Sequence, residues 1–223
     1  MKLFIIIIYI LFLLSTSALA QGLTEFNNYD DAMSYLSKQH PAEEQFVFNK
    51  PSDWSSVSLP NAKVISVSEG EDIIEAQKIF DNKTNTSWKT KNYYNKPEVI
   101  IDLGSKVNFN TIVIYNRQSN NRGSAGGNDA VKTIEISYKN DVDSDFVSIG
   151  IFELNGPKAV CVKIKGAGQV CTFIDDPNPN IIDIPEIDAK YIKLKFIKAF
   201  WGEKTPDEWR DSFSLTEVML YSK

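Results

Sequence analysis

Between Asp81 and Thr86 the chain reads DNKTNT, which sets side-chain oxygens from Asp81, Asn82, Thr84, Asn85 and Thr86 within six residues. Hard cations such as calcium take roughly six to eight oxygen ligands from carboxylates, hydroxyls and carbonyls, so this stretch is a candidate ion loop. One carboxylate is too few to hold calcium tightly, and a second has to come from elsewhere. The same residues also suit a turn held by side-chain-to-backbone hydrogen bonds. Asn82-Lys83-Thr84 and Asn85-Thr86-Ser87 are in addition two glycosylation sequons, and a glycan on Asn85 would crowd an ion there.

Three further polar stretches carry residues suited to holding a ligand. Tyr93 and Tyr94 stand together in KTKNYYNK, where two adjacent rings cannot both turn inward; an exposed ring stacks on the apolar face of a sugar. Arg117, Asn120 and Arg122 lie in RQSNNRGSAGGND, a run whose glycines permit unusual backbone angles and whose amides can reach a polyol. Trp201 and Trp209 bracket a charged proline turn in FWGEKTPDEWR, either as a contact surface or as a cover for the N-terminal part of the chain. Trp88, just after the oxygen-rich turn, is expected in the core.

Catalytic constellations are hard to find. The single histidine, His40, precedes Pro41 and has no cysteine or serine partner in a recognisable motif. No phosphate-cradling glycine loop appears. Asp175-Asp176 belong to DDPNPN, a turn sequence, and a count of carboxylates does not make a glycosidase. The expectation is a protein that binds and does not catalyse.

The compartment follows from the first twenty residues. Lys2 precedes an apolar run, Leu3–Leu14, and then STSALA, in which Ala18 and Ala20 form a small-x-small cleavage pattern. This is the layout of a secretory signal peptide over residues 1–20, leaving Gln21 first. The other reading is an uncleaved anchor, for which the run is short. The expected location is therefore extracellular or in the lumen of the secretory pathway. Removing Lys2 takes 24 basic residues to 23 against 29 acidic ones, a balance of −6. That charge argues against nucleic acid and against electrostatic attachment to anionic lipid. Cys161 and Cys171 each lie five residues from Gly166 in VCVKIKGAGQVC. A hairpin turning near Gly166 would set them opposite each other, and an oxidising compartment would join them.

Residues 21–61 are expected to be an extension with a short helix over Tyr29–Lys38, capped by Asn28. Pro41, Pro51 and Pro60 then interrupt it, while Phe46, Phe48 and Trp54 are too apolar for a free tail. From residue 62 onward short strands alternate with Gly, Asn, Asp and Pro turns: Ala62–Val67, Glu98–Leu103, Thr111–Tyr115, Val131–Tyr138, Phe146–Phe152, Val160–Ile164, Val170–Ile174, Tyr191–Phe196 and Phe213–Tyr221. YIKLKF shows the period of two most plainly. Such a series implies an all-β sandwich.

Four of these pieces, IFDNKTNTSW, PEVIIDLG, TIVIYNR and SLTEVMLYS, resemble in their order the discoidin family, which includes the coagulation-factor type C domains and many galactose-binding-like carbohydrate-binding modules. The resemblance covers residues 62–223. It implies a jelly roll of about eight strands and places loop at Ile73–Phe80, where the residues by themselves could form a helical turn. In the calcium-binding members an aspartate, a threonine and the glutamate opening the last strand share one structural ion; the matching residues here are Asp81, Thr86 and Glu217. The resemblance also implies ligand loops at Tyr93–Tyr94 and beyond Arg117, with Arg117 either serving the ligand site or bracing it. Galactose-binding members present a histidine beside that arginine, and this domain has none.

Taken together, the expected function is a secreted module that binds a glycan or glycoprotein on a cell surface, with structural calcium as its cofactor. The alternative is an adhesion module that uses the same jelly roll, with Trp201 and Trp209, to hold a protein. Phospholipid binding, as in the coagulation-factor members, fits less well, because the loops are mostly polar and the net charge is negative.

Overall fold

The computed structural model describes residues 23–40, 42–90, 96–117, 129–200 and 212–223. The expected leader lies outside them, as do Tyr93, Tyr94, Asn120, Arg122, Trp201 and Trp209.

The described part of the extension begins with β1 (Glu25–Phe26) and α1 (Tyr29–Ser37). Asn28 caps the helix by accepting from the Asp31 backbone N–H at 2.9 Å, and Asp30 and Asp31 sit in the first turn, where the helix dipole favours negative charge. Ala32 and Leu36 form the buried stripe. A 3-10 turn (Glu43–Phe46) and β2 (Ser55–Ser56) complete this region.

The sandwich proper contains β3 (Lys63–Val67), β4 (Trp88–Lys89), β5 (Glu98–Tyr115), β6 (Val131–Lys139), β7 (Val147–Glu153), β8 (Lys158–Ile164), β9 (Gly168–Ile174), β10 (Asn180–Ala199), β11 (Ser214–Leu215) and β12 (Glu217–Ser222). The main sheet runs β2-β12-β5-β10-β6-β7, with β3 on β5. Two stretches expected as separate strands, 98–103 and 111–115, are one 18-residue strand. Its antiparallel partner β10 has 20 residues, and the pairing slips between Asp183 and Ile187 and again between Ala189 and Tyr191. The bulges let both strands bend from one layer into the other. In one layer β12 and the first part of β10 flank residues 111–115; in the other, β3 and the last part of β10 flank residues 98–102.

Between the layers lies the main core, with Val99, Ile101, Ile112, Ile114, Ile134, Ile136, Ile192, Leu194, Phe196, Val218 and Leu220 all nearly fully buried. Trp88 is also buried in it, tilted against Phe196 at 5.6 Å between ring centroids. Residues 73–80, whose own sequence allowed a helical turn and which the resemblance placed in a loop, are helical: α2 (Ile73–Ala76) continues into a 3-10 turn over Gln77–Phe80. The reason is local. Asp72 caps the backbone N–H groups of Ile74 and Glu75, while Ala76 and Ile79 drop into the core.

The extension packs in two places. Alternation along β5 and β12 leaves Val113, Met219 and Tyr221 on the outer face, and Phe48 and Trp54 cover them. Farther out, α1 packs Ala32 and Leu36 on Val162 and Ile164 of β8, and β1 adds a parallel strand to the β8–β9 hairpin. That hairpin turns at Gly166 and aligns Cys161 directly with Cys171, which form a disulfide.

Candidate functional site

The roots of the three polar stretches singled out above meet at one end of the sandwich. Thr90, at the edge of residues 91–95, donates its backbone N–H to the Phe213 carbonyl at 2.9 Å and accepts the Phe213 N–H on its hydroxyl at 3.0 Å. Phe200, at the edge of residues 201–211, donates its N–H to the Ala130 carbonyl at 3.1 Å. Arg117 and Asp129 flank residues 118–128, and the Ser214 hydroxyl is 3.0 Å from the Arg117 carbonyl and 2.8 Å from Asp129 Oδ1. Lys89 Nζ reaches Asp129 Oδ2 at 3.0 Å. Asp129 is itself 6% exposed, so a buried carboxylate holds the three roots together. Its position at the end of a glycine-rich run gave no sign of this in the sequence.

A set of asparagines supports the same end. Asn116 accepts from the Val131 N–H at 3.0 Å and donates to the Asn155 carbonyl at 2.9 Å, while Asn180 accepts from the Asn155 N–H at 2.6 Å. These amides continue the strand hydrogen bonding after β5 ends, and single polar residues among hydrophobic runs carry no pattern that would reveal them.

Arg117 is one of the expected ligand residues that the structure describes. Its guanidinium is buried, donates from Nε to Asp175 Oδ2 at 3.4 Å and from Nη1 to the Thr84 carbonyl, and lies 3.8 Å from the ring centre of Phe46. In these contacts Arg117 acts as a brace between the root of residues 118–128, the loop after Asp81 and the end of the hairpin. The other expected ligand residues, Tyr93, Tyr94, Asn120, Arg122 and Trp201, lie outside the described residues.

Asp81, Thr86 and Glu217 come together. The Thr86 hydroxyl donates to the Asp81 carboxylate, 3.0 Å from Oδ1 and 2.9 Å from Oδ2. The Lys83 N–H lies 3.0 Å from both Asp81 Oδ1 and Glu217 Oε2, so one backbone group joins the two carboxylates. Asn82 takes a left-handed backbone angle, φ 60°, to make the turn, a conformation asparagine tolerates better than most residues. Glu217 is 1% exposed. Burial foremost, together with the neighbouring Asp81 carboxylate, pushes its carboxyl up to about 9 against the backbone hydrogen bonds that oppose the shift. Two close carboxylates, a hydroxyl and nearby carbonyls are donors of the type a hard cation takes, and a cation would remove the penalty on the buried charge. Among the described residues, no group of three or more His, Cys, Asp or Glu gathers as a metal cluster; the donor set here rests on hydroxyl and backbone oxygens as well. Both sequon asparagines, Asn82 and Asn85, are exposed. Asn82 also lines a cleft of about 370 Å³, shared with Ser56, Leu59, Phe80, Met219 and Tyr221.

The fold has many solved likenesses. A family 32 carbohydrate-binding module from a Clostridium perfringens family 31 glycoside hydrolase is 18% identical, with 75% of this chain and 95% of that chain covered and a TM-score of 0.51. Another family 32 module from C. perfringens, solved with GalNAc-β-1,3-galactose, is 17% identical over 74% of this chain and 99% of that one, with a TM-score of 0.50. The F5/8 type C domain of a Bacteroides fragilis protein is 18% identical over 78% and 99% of the two chains, again with a TM-score of 0.50. At these identities the likeness concerns the fold, an all-β jelly-roll sandwich. No curated protein matches the sequence significantly. The F5/8 type C domain model matches residues 61–210, two-thirds of the chain, and the chain belongs to that family.

Proposed function

We propose that this protein is a secreted, non-catalytic module that recognises a glycan on a cell surface or in the extracellular space. The observation that carries this reading is the meeting of three loop roots around Asp129 and Ser214 at one end of the sandwich. Tyr93, Tyr94, Asn120, Arg122 and Trp201 belong to the segments that spring from those roots. Their rings suit the apolar faces of sugars, and their amides and guanidinium suit hydroxyl groups. A similar fold in complex with GalNAc-β-1,3-galactose supports the ligand class. In this reading residues 1–20 direct secretion, residues 21–61 are an extension, and residues 62–223 are the binding domain.

Asp81, Thr86 and Glu217 would hold a structural calcium ion. It would supply positive charge between two carboxylates and so tie the loop after Phe80 to the start of β12. Arg117 and Asp175 set the shape of the neighbouring backbone without needing to touch ligand.

A glycan-array screen of Gln21–Lys223, run with calcium and with chelator, tests the reading. Binding to a coherent set of sugars that Tyr93→Ala/Tyr94→Ala abolishes would support it. A folded protein that binds no glycan would sink it and favour the second reading, a module for a protein partner. One observation favours that second reading: the chain's single histidine is His40, so no histidine of the domain stands beside Arg117. Trp201 and Trp209 would then be the residues to test.

A further inference from the structure

Phe46, in the N-terminal extension, is only 1% exposed. Its ring covers the Arg117 guanidinium at 3.8 Å. The residue is delivered by the 3-10 turn Glu43–Phe46, fixed by two hydrogen bonds of 3.0 Å between Ala42 and Gln45: the Gln45 N–H to the Ala42 carbonyl, and the Ala42 N–H to Gln45 Oε1. The turn lies outside residues 61–210, the part of the chain that matches the family.

The buried guanidinium is held in its plane by hydrogen-bond acceptors on Asp175 and Thr84, and across its face by the Phe46 ring. Asp175 fixes the end of β9, Thr84 belongs to the Asp81–Thr86 loop, and Arg117 itself begins residues 118–128. The orientation of one planar cation therefore sets two functional loops at once. An aromatic ring is suited to this role because it attracts the face of a guanidinium without competing for its in-plane donors. An aliphatic side chain of similar volume fills the space but leaves the plane free to tilt.

We propose that Phe46 is a positioning residue for the binding end: the N-terminal extension completes the site by locking Arg117, and residues 61–210 alone would lack that lock. The proposal rests on the glycan-binding reading for its affinity readout but not for its geometry.

The test uses the full chain with Phe46→Met, which keeps volume and loses the ring, and Phe46→Tyr, which keeps the ring. Phe48→Leu serves as a control, since Phe48 packs on Trp54 and Tyr221. Two readouts are taken: affinity for the strongest sugar from the array, and the NMR signal of the Arg117 Nε–H, which the Phe46 ring current displaces. We expect Phe46→Met to weaken binding about tenfold and to return the Arg117 signal towards its unshifted position, Phe46→Tyr to restore both, and Phe48→Leu to lower the melting temperature with affinity intact. Affinity within twofold of wild type in a folded Phe46→Met protein would overturn the proposal, as would equal losses in all three variants. If the wild type binds no sugar, the functional reading falls by itself. The positioning role is then decided by amide exchange at Thr84 and Arg117, and unchanged protection in Phe46→Met would overturn it.

Discussion

Lys89 Nζ and Asp129 Oδ2 lie 3.0 Å apart and join the root of residues 91–95 to the root of residues 118–128. Asp129 is nearly buried while Lys89 keeps about a third of its side chain in solvent. The pair's importance thus lies with the carboxylate, which also holds the Ser214 hydroxyl. Asp129→Ala should cost about 2–3 kcal/mol in urea unfolding, because it takes a buried carboxylate away from both Lys89 and the Ser214 hydroxyl, which keeps only the Arg117 carbonyl as acceptor. Lys89→Ala should cost under about 1 kcal/mol. Equal losses would show that the pair, and not the carboxylate, is what matters.

Glu217 gives a test of the ion that needs no ligand. Without a cation the buried carboxylate faces Asp81 and its charge is disfavoured, so Glu217→Gln should leave the melting temperature in chelator equal to or above that of wild type. With calcium, wild type should gain several degrees and the variant nothing. Calcium that stabilises both proteins alike would place its binding elsewhere.

Tyr115 carries a buried hydroxyl with no hydrogen-bond partner among the described residues. Burial, with a smaller contribution from Tyr221, raises its phenol to about 12 from 10.0. The neutral form is thus the one the fold favours. Its contribution is complete below pH 10.0 and is lost as the pH rises through about 12. Tyr115→Phe should be neutral or stabilising by about 1 kcal/mol at pH 7, and should lessen the loss of stability between pH 10 and 12 seen by circular dichroism. A clear loss of stability at pH 7 would mean that the hydroxyl has a partner after all.

Gly156 sits beneath Phe200: a Cβ built on it would lie 2.5 Å from Phe200 Cε2. Phe200 is the root of residues 201–211, so Gly156→Ala should displace that root at a cost of about 1–3 kcal/mol. Adding Phe200→Leu should recover part of the loss. Simple additivity in the double mutant would show that the two residues do not share the space.

The disulfide closes a sequence separation of 10, for which chain entropy gives about 2–3 kcal/mol. Of the strands it joins, β8 packs Val162 and Ile164 on α1 and pairs with β1. Reduction should therefore raise hydrogen exchange in residues 158–174 and 29–37 while the β5–β10 pairing stays protected.

Local chemistry was the most legible part of the sequence. Asn28 announced its helix, YIKLKF its strand, and the symmetric spacing about Gly166 its cysteine pair. Each signal lies within a dozen residues, where periodicity and turn chemistry act. The first half of β10 was not legible because Pro185 and three acidic residues, Asp183, Glu186 and Asp188, interrupt its pattern, and its bulge absorbs them only once β5 lies alongside. The single strand 98–115 was hidden in the same way by Gly104, which bends the chain against Asn61 without ending the strand. Asp129, Asp175 and Phe46 were invisible as parts of a site, since their partners lie far along the chain and nothing local marks them. Glu217 was singled out through the family resemblance, and its buried place beside Lys83 follows from β12 beginning at the loop.

The pairing of β2 with β12 has one more consequence. Ser55 and Ser56 face Ser222 and Tyr221, and the Val57 N–H takes the Leu220 carbonyl, so the extension occupies backbone groups along that margin of the sheet. At the opposite margin β7 exposes Val147 and Ile151, and a register break next to Ile149 interrupts its pairing with β6. One border is thus sealed by the chain itself and the other is made irregular, two ways of denying a neighbouring molecule a straight template for strand addition. A protein crowded at high density on a surface would keep its copies separate by these means, and trimming the N-terminal segment would unseal the first border and invite aggregation.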